Sequence, residues 1–177
     1  MRDAELARAI RERAYLEGDF VLRSGRRSSF YLDKYRFSTD PELLSEIGAR
    51  LAEAVKRVDP AAARLAAPEL GAVPLAAATS LASGMPFLIV RGEAKAYGTA
   101  NRLEGPFSPG ERVCLLEDVV TSGGAAAEAL AAVREAGLEC SNAVCVVDRE
   151  EGGADALARL AVRLWPLFHA ADITDAP

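Results

Sequence analysis

The segment VCLLEDVVTSGGAAAEAL, Val113 to Leu130, places two adjacent carboxylates, two adjacent hydroxyls and two adjacent glycines within one short stretch. Consecutive glycines let backbone amides approach an anion without a Cβ in the way. The Ala-rich helix expected after them adds unpaired amides and a partial positive charge at its first turn. Thr121 and Ser122 contribute hydroxyl donors, so Thr121 to Ala125 suits a terminal phosphate. No lysine follows the glycines, which excludes the P-loop of nucleoside triphosphate enzymes. Glu117 and Asp118 would repel a phosphate, and they suit sugar hydroxyls, met directly or through Mg²⁺. Phosphate and sugar together imply a phosphorylated ribose.

Such a site needs a strand before it and a helix after it. The apolar run Val113 to Leu116 predicts the strand, and Ala125 to Ala136, closed by Gly137, predicts the helix. The same alternation runs through the chain from Arg64 onward. Strands are expected at Arg64 to Ala67, Pro86 to Val90, Ala143 to Val147 and Val162 to Leu167, with helices between them. These strands are continuous apolar runs, which points to an α/β fold whose parallel sheet is covered on both faces. Ligands of such sheets bind beyond the carboxyl ends of the strands, where Glu117 and Asp118 are expected. Before Arg64, a helix is expected over about Asp3 to Leu16 with Gly18 as its stop. Two short strands follow, Phe20 to Leu22 and Ser29 to Asp33, around the turn Ser24-Gly25-Arg26. A second helix then starts with Thr39 as cap, Pro41 early and Glu42 completing a capping box.

Bulk composition narrows the function classes. The chain has 177 residues, half of them hydrophobic and 27% charged, which favours one globular domain over a disordered chain. A net charge of -5 argues against nucleic acid as a partner, since phosphate backbones need a surplus of Lys and Arg. No apolar run reaches the length of a membrane span, and the charged start lacks the apolar core of a signal peptide, so a cytoplasmic protein is expected. Cys114, Cys140 and Cys145 are odd in number, lack a CxxC pair and sit among apolar residues, so buried thiols are expected. His169 is the one histidine, which excludes a multi-histidine metal centre.

Val113 to Ala125 resembles the phosphoribosyl-pyrophosphate signature of the type I phosphoribosyltransferases. That resemblance implies a single domain over 1–177 with a central parallel five-stranded sheet, flanking helices and a small N-terminal hood. It also implies that Glu117 and Asp118 hold the ribose hydroxyls, that Thr121, Ser122, Gly123, Gly124 and Ala125 form the 5-phosphate loop, and that Val119 and Val120 lie among the residues binding phosphoribosyl pyrophosphate. Further segments resemble the orotate phosphoribosyltransferases of that family. Phe20 to Asp33 looks like their hood segment, here about residues 18–37, and so implicates Arg23, Phe30 and Tyr31, with Thr121, in orotate binding. Pro68-Glu69-Leu70-Gly71 resembles their pyrophosphate loop. Arg91, Lys95 and Tyr97 fall in what looks like their mobile catalytic loop, about residues 92–106, which lacks apolar anchors here. Asp148 to Gly153 resembles the segment whose arginine, here Arg149, binds the orotate carboxylate.

The activity so implied is transfer of the phosphoribosyl group from phosphoribosyl pyrophosphate to orotate. Arg91 and Lys95 would stabilise the leaving group and Asp118 the ribose. Mg²⁺ would be held mainly by substrate and water. The family pattern implies a homodimer in which the mobile loop covers the partner's site. The sequence departs from that pattern at four positions. Gly92, Arg23 and Gly71 stand where relatives carry lysine, and Tyr97 stands where they carry histidine, so the leaving pyrophosphate is expected to meet fewer cations. Two alternatives stay open: a phosphoribosyltransferase for another base, and a non-catalytic phosphoribosyl-pyrophosphate sensor.

Overall fold

The N-terminal fifth of the chain builds a small hood from α1 (Asp3–Ala14), β1 (Tyr15–Val21), β2 (Arg27–Leu32) and α2 (Lys34–Ser38). In this computed structural model, residues 1–21, 25, 27–93 and 102–176 are described. The hood's two strands pair antiparallel, with a bulge between Glu17 and Phe20. Helix α1 stops at Ala14, two residues before the expected end, and Gly18 lies within β1 instead of closing the helix. The reason is tertiary: Tyr15 pairs with Leu32 and its ring stacks on Phe30 at 5.2 Å, so strand pairing overrides the helical period.

Helix α3 (Pro41–Val58) carries an apolar stripe of Leu43, Ile47, Leu51 and Val55. Asp40, not Thr39, is its cap, and its carboxylate accepts from the amides of Glu42 and Leu43. The Thr39 hydroxyl turns back to donate to the Tyr35 carbonyl and closes α2. Gly48 sets the approach of the next helix, because a Cβ there would lie 2.6 Å from the Ala78 Cβ.

The main sheet contains β3 (Arg64–Pro68), β4 (Phe87–Val90), β5 (Leu103–Glu104), β6 (Val113–Val120), β7 (Asn142–Asp148) and β8 (Arg163–His169). Their spatial order is β5-β4-β3-β6-β7-β8. The five longer strands run parallel, as expected, and β5 adds a short antiparallel edge on β4. That edge lies within the segment expected to lack apolar anchors; Leu103 is such an anchor, buried to 6% exposure. Helices α4 (Ala72–Ser83), α5 (Gly124–Glu135), α6 (Gly153–Arg159) and α7 (Ala170–Thr174) complete the chain.

The pleat of β6 divides the core. Cys114 and Leu116 point into a cluster with α1, α3 and α4, while Val113 and Leu115 point into a cluster with α5. All three cysteines are buried and free. Among the described residues, no helix is long and apolar enough to cross a membrane.

Candidate active site

Strand β6 continues past its apolar run, and Glu117 and Asp118 are its fifth and sixth residues. Because neighbouring strand residues face opposite ways, the pair splits between the two sides of the sheet. Asp118 turns toward α2 and the start of α4. One of its oxygens accepts from the Val119 amide at 2.6 Å, and the other pairs with Lys34 Nζ at 2.8 Å. Glu117 is buried at 6% exposure, and its Oε1 has no hydrogen-bond partner. Burial, reinforced by the charge of Asp118, pushes the Glu117 carboxyl up to about 8.

The chain then turns through Thr121, Ser122 and Gly123 into α5. Gly123 has φ +80°, a left-handed conformation that favours glycine, and a Cβ there would lie 3.1 Å from the Gly153 carbonyl. Gly153 answers in kind, since a Cβ on it would come within 2.3 Å of Val120 Cγ1. The turn therefore interlocks with the start of α6. No side chain caps α5, and Thr121, Ser122, Gly124 and Ala125 are exposed, so the first-turn amides are open to an anion.

Arg149 follows β7, and its amide donates to the Val120 carbonyl at 2.9 Å, which fixes it beside the turn. Its guanidinium lies over the Phe30 ring, 5.3 Å from the centroid, and pairs with Glu151 at 3.1 Å. A narrow recess beside it is lined by Tyr15, Phe30, Leu32, Val147 and Ile173. Phe30 and Tyr31 point to opposite faces of the hood. Tyr31 packs on Phe20, with ring centroids 5.6 Å apart, away from Arg149. The hood and β7 thus bring an aromatic face and a planar cation together.

Arg91 leaves the end of β4. Its amide donates to the Arg102 carbonyl at 2.7 Å, and its guanidinium lies 3.8 Å from Glu104. The Gly92 amide donates to Glu69 at 2.9 Å, tying the turn after β3 to the base of the following loop. Arg23, Lys95 and Tyr97 lie outside the described residues.

Lys34, which pairs with Asp118 at this strand end, is a neighbour that motif reading did not single out. Its signal is compositional: the chain has lysines at 34, 56 and 95 alone and otherwise uses arginine. A roomier cavity of about 570 Å³ lies elsewhere, between α1 and α7. Asp3, Asp172 and Asp175 line it without a basic side chain, so it does not suit an anionic ligand.

No family model matches the chain. An orotate phosphoribosyltransferase from Methanocella arvoryzae is 44% identical over 172 residues, 97% of each chain. One from Halobacterium salinarum is 48% identical over 159 residues, 90% of this chain and 89% of the relative. The crystal structure of the Mycobacterium tuberculosis orotate phosphoribosyltransferase in complex with 5-phospho-alpha-D-ribosyl 1-diphosphate superposes with a TM-score of 0.82 at 30% identity, covering 97% of this chain and 98% of that one. Identity of this degree, sustained over almost the whole length of the relatives and matched by the fold, settles the membership: the chain belongs to the orotate phosphoribosyltransferase family.

Proposed function

We propose that this protein transfers the 5-phosphoribosyl group from phosphoribosyl pyrophosphate to orotate, forming orotidine 5'-monophosphate and releasing pyrophosphate. The observation that carries the reading is the sequence of groups along one edge: a buried acidic pair, an uncapped glycine turn, and an arginine stacked on an aromatic ring across from them.

The open amides of Gly124 and Ala125, with the Thr121 and Ser122 hydroxyls, receive the 5-phosphate. Asp118 and Glu117 accept the ribose hydroxyls. Arg149, whose guanidinium lies over the Phe30 ring, offers two parallel N–H groups to the orotate carboxylate, a geometry lysine does not supply. Orotate N1 forms its bond to ribose C1 as the bond from C1 to pyrophosphate breaks, and the proton of N1 passes to the departing pyrophosphate or to water. Negative charge grows on the departing oxygens, and Arg91 and Lys95 supply positive charge there. Losing one such contact costs about 3–4 kcal/mol of transition-state stabilisation. Tyr97 contributes a hydroxyl donor to the same loop. No covalent enzyme intermediate is needed.

The described residues contain no cluster of three or more metal-ligating side chains, and the buried Glu117 Oε1 has no hydrogen-bond partner. That donor set fits Mg²⁺ carried in on substrate oxygens and water rather than a protein cage. Glu117 and Asp118 would hold it through the ribose hydroxyls and water, and it would neutralise pyrophosphate charge.

Helix α4 has no charged residue, and it leaves Leu81 at 89% exposure, with Leu70 at 68% in the preceding turn. Such a face supports a homodimer. The free buried thiols support a reducing, cytoplasmic setting.

The test is initial rates with Mg²⁺, phosphoribosyl pyrophosphate and a panel of orotate, uracil, adenine and hypoxanthine. Turnover confined to orotate supports the assignment. Faster turnover with another base, or binding of phosphoribosyl pyrophosphate without any turnover, would move it to one of the other readings.

A further inference from the structure

We propose that Lys34 is a substrate-binding residue whose ammonium receives the pyrophosphate of phosphoribosyl pyrophosphate beside the Gly71 turn. The inference rests on the phosphoribosyl-transfer reading and adds a cation to it. Lys34 opens α2, whose start is fixed by the Asp33 carboxylate accepting from the Tyr35 amide. From there its Nζ reaches Asp118 Oδ2 at 2.8 Å, and the lysine side chain keeps 34% exposure while Asp118 keeps 3%. The pair is therefore open on the lysine side. It also fills the space over the turn after β3. A Cβ on Gly71 would lie 1.7 Å from Asp118 Oδ2 and 3.1 Å from Lys34 Cε. No side chain at position 71 fits while this pair is in place, so positive charge at this spot comes from the hood.

Electrostatics require a cation here. A ribose held on Asp118 brings its pyrophosphate next to that carboxylate. Among the described residues, Lys34 is the basic side chain paired with Asp118. An ammonium has three donors, so one N–H keeps Asp118 oriented while the others are free for phosphate oxygens. Burial works against the charged lysine, but the hydrogen bond and charge of Asp118 outweigh it and raise its pKa above the ordinary value. The group is thus a fixed cation across the neutral range.

Calorimetric titration of the full chain with Mg²⁺-pyrophosphate, phosphoribosyl pyrophosphate and ribose 5-phosphate tests the role. For Lys34→Gln, pyrophosphate and phosphoribosyl pyrophosphate bind roughly 10- to 100-fold more weakly, as for a lost charge-assisted hydrogen bond, while ribose 5-phosphate loses only a few-fold, from the looser Asp118. Lys34→Arg, which keeps the charge and the fold, recovers part of the pyrophosphate affinity. Equal weakening for ribose 5-phosphate would mean that Lys34 only orients Asp118, and unchanged pyrophosphate binding in a folded variant would remove it from the site; either result overturns the proposal. Wild-type protein that binds phosphoribosyl pyrophosphate without consuming orotate would sink the functional reading alone, because the Lys34 comparison is read from binding.

Discussion

Gly71 and Asp118 exclude any side chain between them: a Cβ on the glycine would sit 1.7 Å from the carboxylate oxygen. The turn after β3 and the acidic end of β6 are thereby packed backbone against side chain, which holds Asp118 in one orientation. Gly71→Ala forces that carboxylate aside. The expected outcome is a loss of about 1–3 kcal/mol in stability from overpacking, with a marked fall in affinity for phosphoribosyl pyrophosphate. Gly92→Ala serves as the contrast, since its Cβ would meet Glu69 at an ordinary 3.5 Å. Urea melts and direct titration of both variants check this; wild-type affinity in Gly71→Ala would show that the close contact does not govern Asp118.

The buried Glu117 gives stability a distinctive pH dependence. Its carboxyl is raised from 4.5 to about 8 by burial and by Asp118, so between those values the folded protein holds a proton that the unfolded chain has lost. Stability from this group is therefore full below pH 4.5 and falls as pH rises toward 8. Glu117→Gln, neutral at every pH, flattens that decline and is the more stable protein at pH 8. Thermal melts from pH 5 to 8.5 measure it, and parallel curves for the two proteins would refute the assignment. Binding of Mg²⁺ with phosphoribosyl pyrophosphate favours the ionised carboxylate, so it should release a proton near neutral pH, seen as a buffer-dependent heat of binding.

Arg149 and the two hood aromatics make separable predictions. Arg149→Lys keeps the charge but loses the planar fork, so kcat/KM for orotate should drop by roughly 10- to 100-fold. Phe30→Ala removes the ring under the guanidinium and should raise the KM for orotate by a smaller factor. Tyr31→Ala should leave that KM near wild type, because Tyr31 packs on Phe20 on the other face of the hood. Steady-state kinetics at saturating phosphoribosyl pyrophosphate distinguish them; equal effects at 30 and 31 would contradict the division of faces.

The three cysteines should be inert in the native state. Burial pushes the thiols of Cys114, Cys140 and Cys145 above their ordinary range, so little thiolate is available. A colourimetric thiol reagent is expected to react only at the rate of unfolding and to report three thiols in denaturant. Rapid reaction of any one of them with the folded protein would place it at the surface.

How far these features were legible in the sequence follows from how local each one is. The phosphate turn was legible because strand, carboxylates, glycines and helix are consecutive, and each states its own requirement. The parallel sheet was legible because its strands are unbroken apolar runs. The cap of α3 was not decided by type, since Thr39 and Asp40 are both good caps and only the closure of α2 takes the threonine away. Strand β5 has two residues and no period to detect. Tyr15 and Leu16 continue a helical pattern that hairpin pairing overrules. The contact between Lys34 and Asp118 joins the hood to the sheet, and no local pattern announces a pair so distant in the chain.

The central claim is transfer to orotate, and the most direct measurement follows orotate absorbance and pyrophosphate release together in one reaction with Mg²⁺ and phosphoribosyl pyrophosphate. Orotate should disappear and pyrophosphate appear in equal amounts, both depending on all three additions, with orotidine 5'-monophosphate recovered as the product. Orotate left intact by a protein that binds phosphoribosyl pyrophosphate, or pyrophosphate released at the same rate without orotate, would contradict the account.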